Sequence, residues 1–99
     1  MASYPIDIRY EDTARGGRYF MVMPNGEESK LTFVRVGPGH IIADHTFVPV
    51  PYRGHGVAEQ LVEHLVEGAR KNGEKITPTC WYVADELERR KAEWSDVRM

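Results

Sequence analysis

At Arg53-Gly54-His55-Gly56-Val57-Ala58 the hydrophobic pattern of the chain changes period. Downstream, Val57, Ala58, Leu61, Val62, Leu65, Val66 and Ala69 recur at spacings of three and four, the single apolar stripe of a helix. Glu59, Gln60, Glu63, His64, Glu67, Arg70 and Lys71 fill the opposite side, and Asn72-Gly73 supplies the left-handed cap that ends it. The spacing predicts a helix over 57–72. Upstream, Ile41 to Val50 carries apolar residues on both faces, as a strand inside a sheet does. Pro49 and Pro51 cannot donate to a ladder, so pairing weakens there and the chain splays from its neighbour.

Further from the turn, Arg18 to Met23 and Lys30 to Val36 read as strands joined by Pro24-Asn25-Gly26-Glu27. Asn-Gly tolerates the positive φ angles of a tight hairpin. Gly37-Pro38-Gly39 breaks the second of these strands, and Ile6 to Tyr10 reads as an edge strand. After the long helix, Lys75 to Thr79 is a short strand, and Val83, Leu87 and Trp94 mark one final amphipathic helix. The expected fold is α/β of the α+β kind: an antiparallel meander of three to four strands, then helix, strand, helix. Tyr19, Phe20, Phe33, Phe47 and Trp94 are expected in the core, with His40 and His64 at the surface.

The 99 residues suit one domain spanning 1–99. Hydrophobic residues at 41% and charged residues at 28% lie in the globular range. A net charge of -2 gives no electrostatic reason to expect nucleic acid or an anionic membrane as partner. The apolar runs are too short for a membrane helix, and residues 1–7 lack the layout of a secretory signal, so a cytoplasmic protein is expected. Cys80 is the single cysteine, and the four histidines show no metal-ligand spacing. No metal site is expected.

Gly54 and Gly56 precede the helical stripe, where bare backbone lets N–H groups converge and the helix dipole favours an anion. Arg53 adds a mobile positive charge at the rim. The phosphate loop of nucleotide hydrolases needs a longer turn with a lysine, and the dinucleotide fingerprint needs a parallel βαβ unit. Neither fits. The plainer alternative is that both glycines only permit a sharp corner.

The turn resembles the Gln/Arg-x-x-Gly-x-Gly/Ala motif of the GNAT superfamily of N-acetyltransferases. His45-Thr46-Phe47-Val48-Pro49-Val50 is similar to that family's fourth strand, and Cys80-Trp81-Tyr82-Val83 to a Cys-x-Tyr-Val motif of a very short subgroup. The likeness covers most of the chain from Gly17 onward. It implies an acetyl-CoA-dependent N-acetyltransferase acting on an unidentified amine acceptor. Arg53, Gly54, His55, Gly56, Val57 and Ala58 would then hold the diphosphate of coenzyme A. Phe47, Val48 and Val50 would flank its pantetheine arm, with Tyr82 nearby. Larger relatives place helices between the first two strands; here a tight turn leaves the acceptor side open or completed by another molecule. A monomer or weak homodimer is expected.

The resemblance puts Cys80 and His45 forward as catalytic residues. Cys80 follows a strand and opens a helix, where the dipole favours a thiolate. It is open to carrying the acetyl group, to lining the pocket, or to being a buried small side chain. Imidazole titrates near neutrality, so His45 suits proton removal from an ammonium acceptor, or is simply a hydrogen-bonded strand residue. Two other functions stay open: an acyl-CoA sensor without catalysis, and an interaction domain with a structural glycine turn.

Overall fold

The computed structural model of the protein describes residues 7–99. Strand β1 (Arg9–Asp12) is exposed throughout and pairs antiparallel with β2 (Gly16–Val22). β3 (Glu28–Gly37) and β4 (His40–Phe47) continue the antiparallel meander. Helix α1 (Val57–Asn72) then crosses over and delivers β5 (Lys75–Pro78) parallel to β4. Helices α2 (Trp81–Arg89) and α3 (Lys91–Trp94) follow. The sheet order is β1-β2-β3-β4-β5, the expected α+β arrangement.

Period-two burial decides which face of the sheet is covered. Ser29, Leu31 and Phe33 of β3 are buried while Lys30, Thr32 and Val34 are half-exposed. Met21, Ile41, Ala43 and Ile76 share the buried face, and Leu61, Val62, Leu65, Val66, Val83 and Leu87 close over it. Gly68, in the middle of α1, admits the hydroxyl of Tyr19; a Cβ there would fall 2.1 Å from it. Gly73 (φ 67) ends α1, with the Glu74 N–H reaching back 2.8 Å to the Ala69 carbonyl.

Several expectations needed correction. Of the expected edge strand, Ile6 lies outside the described residues, Asp7 and Ile8 are not in a strand, and the strand runs from Arg9 on to Asp12. The hairpin is not a two-residue Asn-Gly turn. Only Gly26 (φ 89) is left-handed there, and the Met23 N–H donates to the Glu27 carbonyl at 2.7 Å, closing a longer reversal. Asn25 instead accepts from the Glu27 N–H through its side chain. The third long strand stops at Phe47, because Pro49 and Pro51 divert it into a 3-10 turn at Val50–Tyr52. The last helix is two. Arg90 (φ -112, ψ 31) interrupts it, which turns Trp94 into the core under the Arg90 guanidinium, 4.0 Å away. His40 is half-buried, its Nε2 2.7 Å from Thr77 Oγ1.

Candidate functional site

Parallel pairing of β4 with β5 runs from His40↔Lys75 to Ala43↔Pro78 and stops. The Ala43 carbonyl accepts the last two bonds, from the N–H groups of Thr79 (2.9 Å) and Cys80 (3.2 Å). Past this point β5 gives way to α2, while β4 stays with β3, so the two chains part. The wedge between them is a cleft of about 510 Å³, within the ~300–1,000 Å³ usual for small-molecule sites. Thr46, Phe47 and Val48 form one wall and Cys80, Trp81 and Tyr82 the other. The first turn of α1 closes its end through Gly56, Val57, Ala58 and Glu59.

A bulge decides which β4 side chains face this cleft. Thr32 pairs with His45 but Phe33 pairs with Ala43, leaving Asp44 as the extra residue. The alternation therefore slips by one: Ile41 and Ala43 face the helices, and then Thr46, opposite buried Leu31, faces them too. The Cys80 thiol, half-buried at the fork, donates to Thr46 Oγ1 at 3.6 Å.

The end of the cleft is bare backbone. Gly54 (φ 83) and Gly56 (φ 82) both adopt the left-handed conformation. A Cβ at either would meet nothing within 4 Å, so the space beside them is open, and both glycines line the cleft. No side chain caps Gly56, and the Gln60 N–H is the one that reaches back to the Gly56 carbonyl. The first-turn N–H groups thus point outward at the positive end of α1. Arg53 is pinned rather than mobile: its Nε donates to the Val48 carbonyl at 2.7 Å, and its guanidinium lies 5.9 Å from the Phe47 ring centre. That bond straps the end of β4 to the start of the turn.

Tyr82 is half-buried, and burial raises its phenol above the ordinary value, with the nearby Glu59 carboxylate adding to the effect. Its hydroxyl therefore keeps its proton through the neutral range. Glu59 is the one carboxylate among the described lining residues. Trp81, 78% exposed, stands edge-on to Tyr82 at the rim.

Of the residues singled out from sequence, Phe47, Val48, Arg53, Gly54, Gly56, Val57, Ala58, Cys80 and Tyr82 converge on this cleft. Phe47 is 37% exposed, not a core residue. His45 does not join them: the bulge leaves it exposed beside Thr32 on the uncovered face of the sheet. Asp44 accepts from the Thr32 hydroxyl at 2.6 Å. Val50 and His55 are exposed and outside the lining. Thr46, Tyr52, Glu59 and Trp81 line the cleft without having been singled out. Glu59 reads in sequence as one more residue of a solvated helix face, and no sequence pattern announces the bulge that turns Thr46 inward.

Known proteins share this architecture. The chain is 32% identical over 81 residues to protein NATD1 of Gallus gallus, covering 80% of this chain and 71% of the relative. Human NATD1 is likewise 32% identical, over 80% of this chain and 69% of its own. An NMR solution structure of a GCN5-like protein from Staphylococcus aureus superposes with a TM-score of 0.68, covering 95% of this chain and 88% of that one. At 24% identity that likeness concerns the fold. The sequence profile of the GCN5-related N-acetyl-transferases matches residues 18–97, the stretch that holds most of β2, all of β3 to β5, the glycine turn and the cleft. The chain belongs to the GCN5-related N-acetyltransferase family.

Proposed function

We propose that the protein is an acetyl-CoA-dependent N-acetyltransferase whose reacting groups meet in the cleft between β4 and α2. The observation that carries the reading is the open, left-handed glycine mouth of α1 at the end of two parting strands. Outward N–H groups at Gly56, Val57 and Ala58, with Arg53 at the rim, suit the diphosphate of a coenzyme A. The end of β4 at Thr46 and Phe47, without a β5 partner, offers backbone groups to an extended amide arm. When bound, acetyl-CoA supplies an activated acetyl thioester.

The chain's own residues hold, orient and move protons. Tyr82 Oη, kept protonated and lining the cleft, is the group assigned to protonate a departing thiolate. Glu59 is the lining residue able to accept a proton from an ammonium acceptor. Cys80, between Thr46 and Tyr82, either carries the acetyl group or orients it. Main-chain N–H groups near Val48 would stabilise charge on the carbonyl oxygen. We infer a cytoplasmic protein, with residues 1–99 as one acyl-CoA-binding domain. A non-catalytic acyl-CoA binder is the second reading. It draws support from the absence of a histidine among the described lining residues.

The test is incubation with acetyl-CoA and primary amines, following thiol release and product mass. Tyr82→Phe is expected to lower kcat about 10²-fold with coenzyme A affinity unchanged. An acetylated Cys80 that passes its group to the amine, together with an inactive Cys80→Ser, would show the covalent route. No amine-dependent thiol release from any acceptor, with binding intact, would favour the binder.

A further inference from the structure

We propose that the crevice between the β1–β3 corner of the sheet and the C-terminal half of α1 is a second binding site, for an organic ammonium ion. It is separate from the acyl cleft. Ala69 in its floor lies 11 residues beyond Ala58 on α1, about 16 Å along the helix axis. The crevice encloses about 310 Å³.

Its wall is aromatic. The ring centres of Tyr10, Tyr19 and Phe33 lie 5.0 to 6.3 Å apart, forming one continuous surface. Bare backbone admits both tyrosines: a Cβ on Gly17 would fall 2.3 Å from the Tyr10 hydroxyl, and one on Gly68 2.1 Å from that of Tyr19. Aromatic faces are electron-rich and attract cations. The protein already shows the preference, since the Arg35 guanidinium lies 5.4 Å over the Phe33 ring.

The rim carries the matching charge. Glu74, 8% exposed, accepts from Arg35 Nε at 2.8 Å, and Asp12 accepts from the Tyr10 hydroxyl at 2.8 Å. Two carboxylates against one guanidinium leave the lining negative. Leu65 and Ala69 give an apolar floor. An ammonium head placed on the exposed Tyr10 ring beside Asp12, with its alkyl chain on that floor, meets the aromatic, acidic and apolar parts of this lining, while Arg35 keeps Phe33 and Glu74. An anion of the same shape would face both carboxylates and the negative faces of the rings.

The test is an amide-resolved NMR titration with butylammonium chloride. Saturable shifts at Tyr10, Tyr19, Arg35 and Asn72 are expected, unchanged by coenzyme A in the other cleft. Butane-1-sulfonate should produce none. Tyr10→Leu and Asp12→Asn, both on the exposed edge, should each weaken binding about tenfold while leaving the spectrum of the core intact. Absence of saturation, equal response to the sulfonate, or undiminished binding in both variants would overturn the assignment.

Discussion

Gly54, Gly56, the Glu59 carboxylate and the Tyr82 phenol set the chemistry of the cleft residue by residue. Gly54 and Gly56 are required by backbone angle, since a side chain at either would have room but not the conformation. Glu59 competes with any anion for the positive end of α1, because it sits in the same first turn. Glu59→Gln should therefore tighten coenzyme A binding about threefold, read by calorimetry; a weakened affinity would show that the carboxylate contributes to binding. Gly68 and Tyr19 are a matched pair. Gly68→Ala should cost about 1–3 kcal/mol in urea unfolding, and adding Tyr19→Phe should recover much of it, since the clash is with the hydroxyl.

At the scale of elements, what repeats is legible in sequence and what interrupts is not. The stripe from Val57 to Ala69 located α1, and Gly73 marked its end. The Asp44 bulge is hard to read, because the one-residue slip it causes falls in Ile41-Ile42-Ala43-Asp44-His45-Thr46, where apolar and polar residues come in runs rather than in strict alternation. The chemistry of imidazole points to His45, but the bulge puts it on the uncovered face and Thr46 on the cleft side. The break at Arg90 was equally silent: neither glycine nor proline stands there, and Leu87 to Trp94 keeps a helical spacing. Arg90 holds the corner by pairing with Glu63 and Glu93 and lying over Trp94. Arg90→Ala should destabilise the protein by about 1–2 kcal/mol in urea unfolding.

Ion pairs also tie elements together. Arg18 bridges Glu11 on β1 and Glu28 on β3, and its hydrogen bond holds the Glu28 carboxyl below its ordinary value. Glu88, Glu93 and Asp96 are lowered in the same way by Arg98, Arg90 and Arg70. A depressed carboxylate binds fewer protons folded than unfolded, so its contribution is present above the unfolded value and lost as pH falls through the folded one. Urea stability should therefore decline below about pH 4.5, and Arg18→Met should flatten that decline.

For the molecule as a whole, the topology places the site. A four-stranded antiparallel meander followed by one crossover makes β4 and β5 the parallel pair, and the end of that pairing opens the cleft at the mouth of α1. The order of elements and the glycine turn were readable because each rests on local patterning. The cleft's walls were not fully readable, because they depend on how far two distant strands stay paired. Calorimetric titration with coenzyme A, comparing the natural protein with Gly56→Val, tests the central claim most directly. Saturable binding that Gly56→Val abolishes, with the fold retained by circular dichroism, is the expected result. Equal affinity in both proteins, or no binding to the natural one at millimolar concentration, would contradict it.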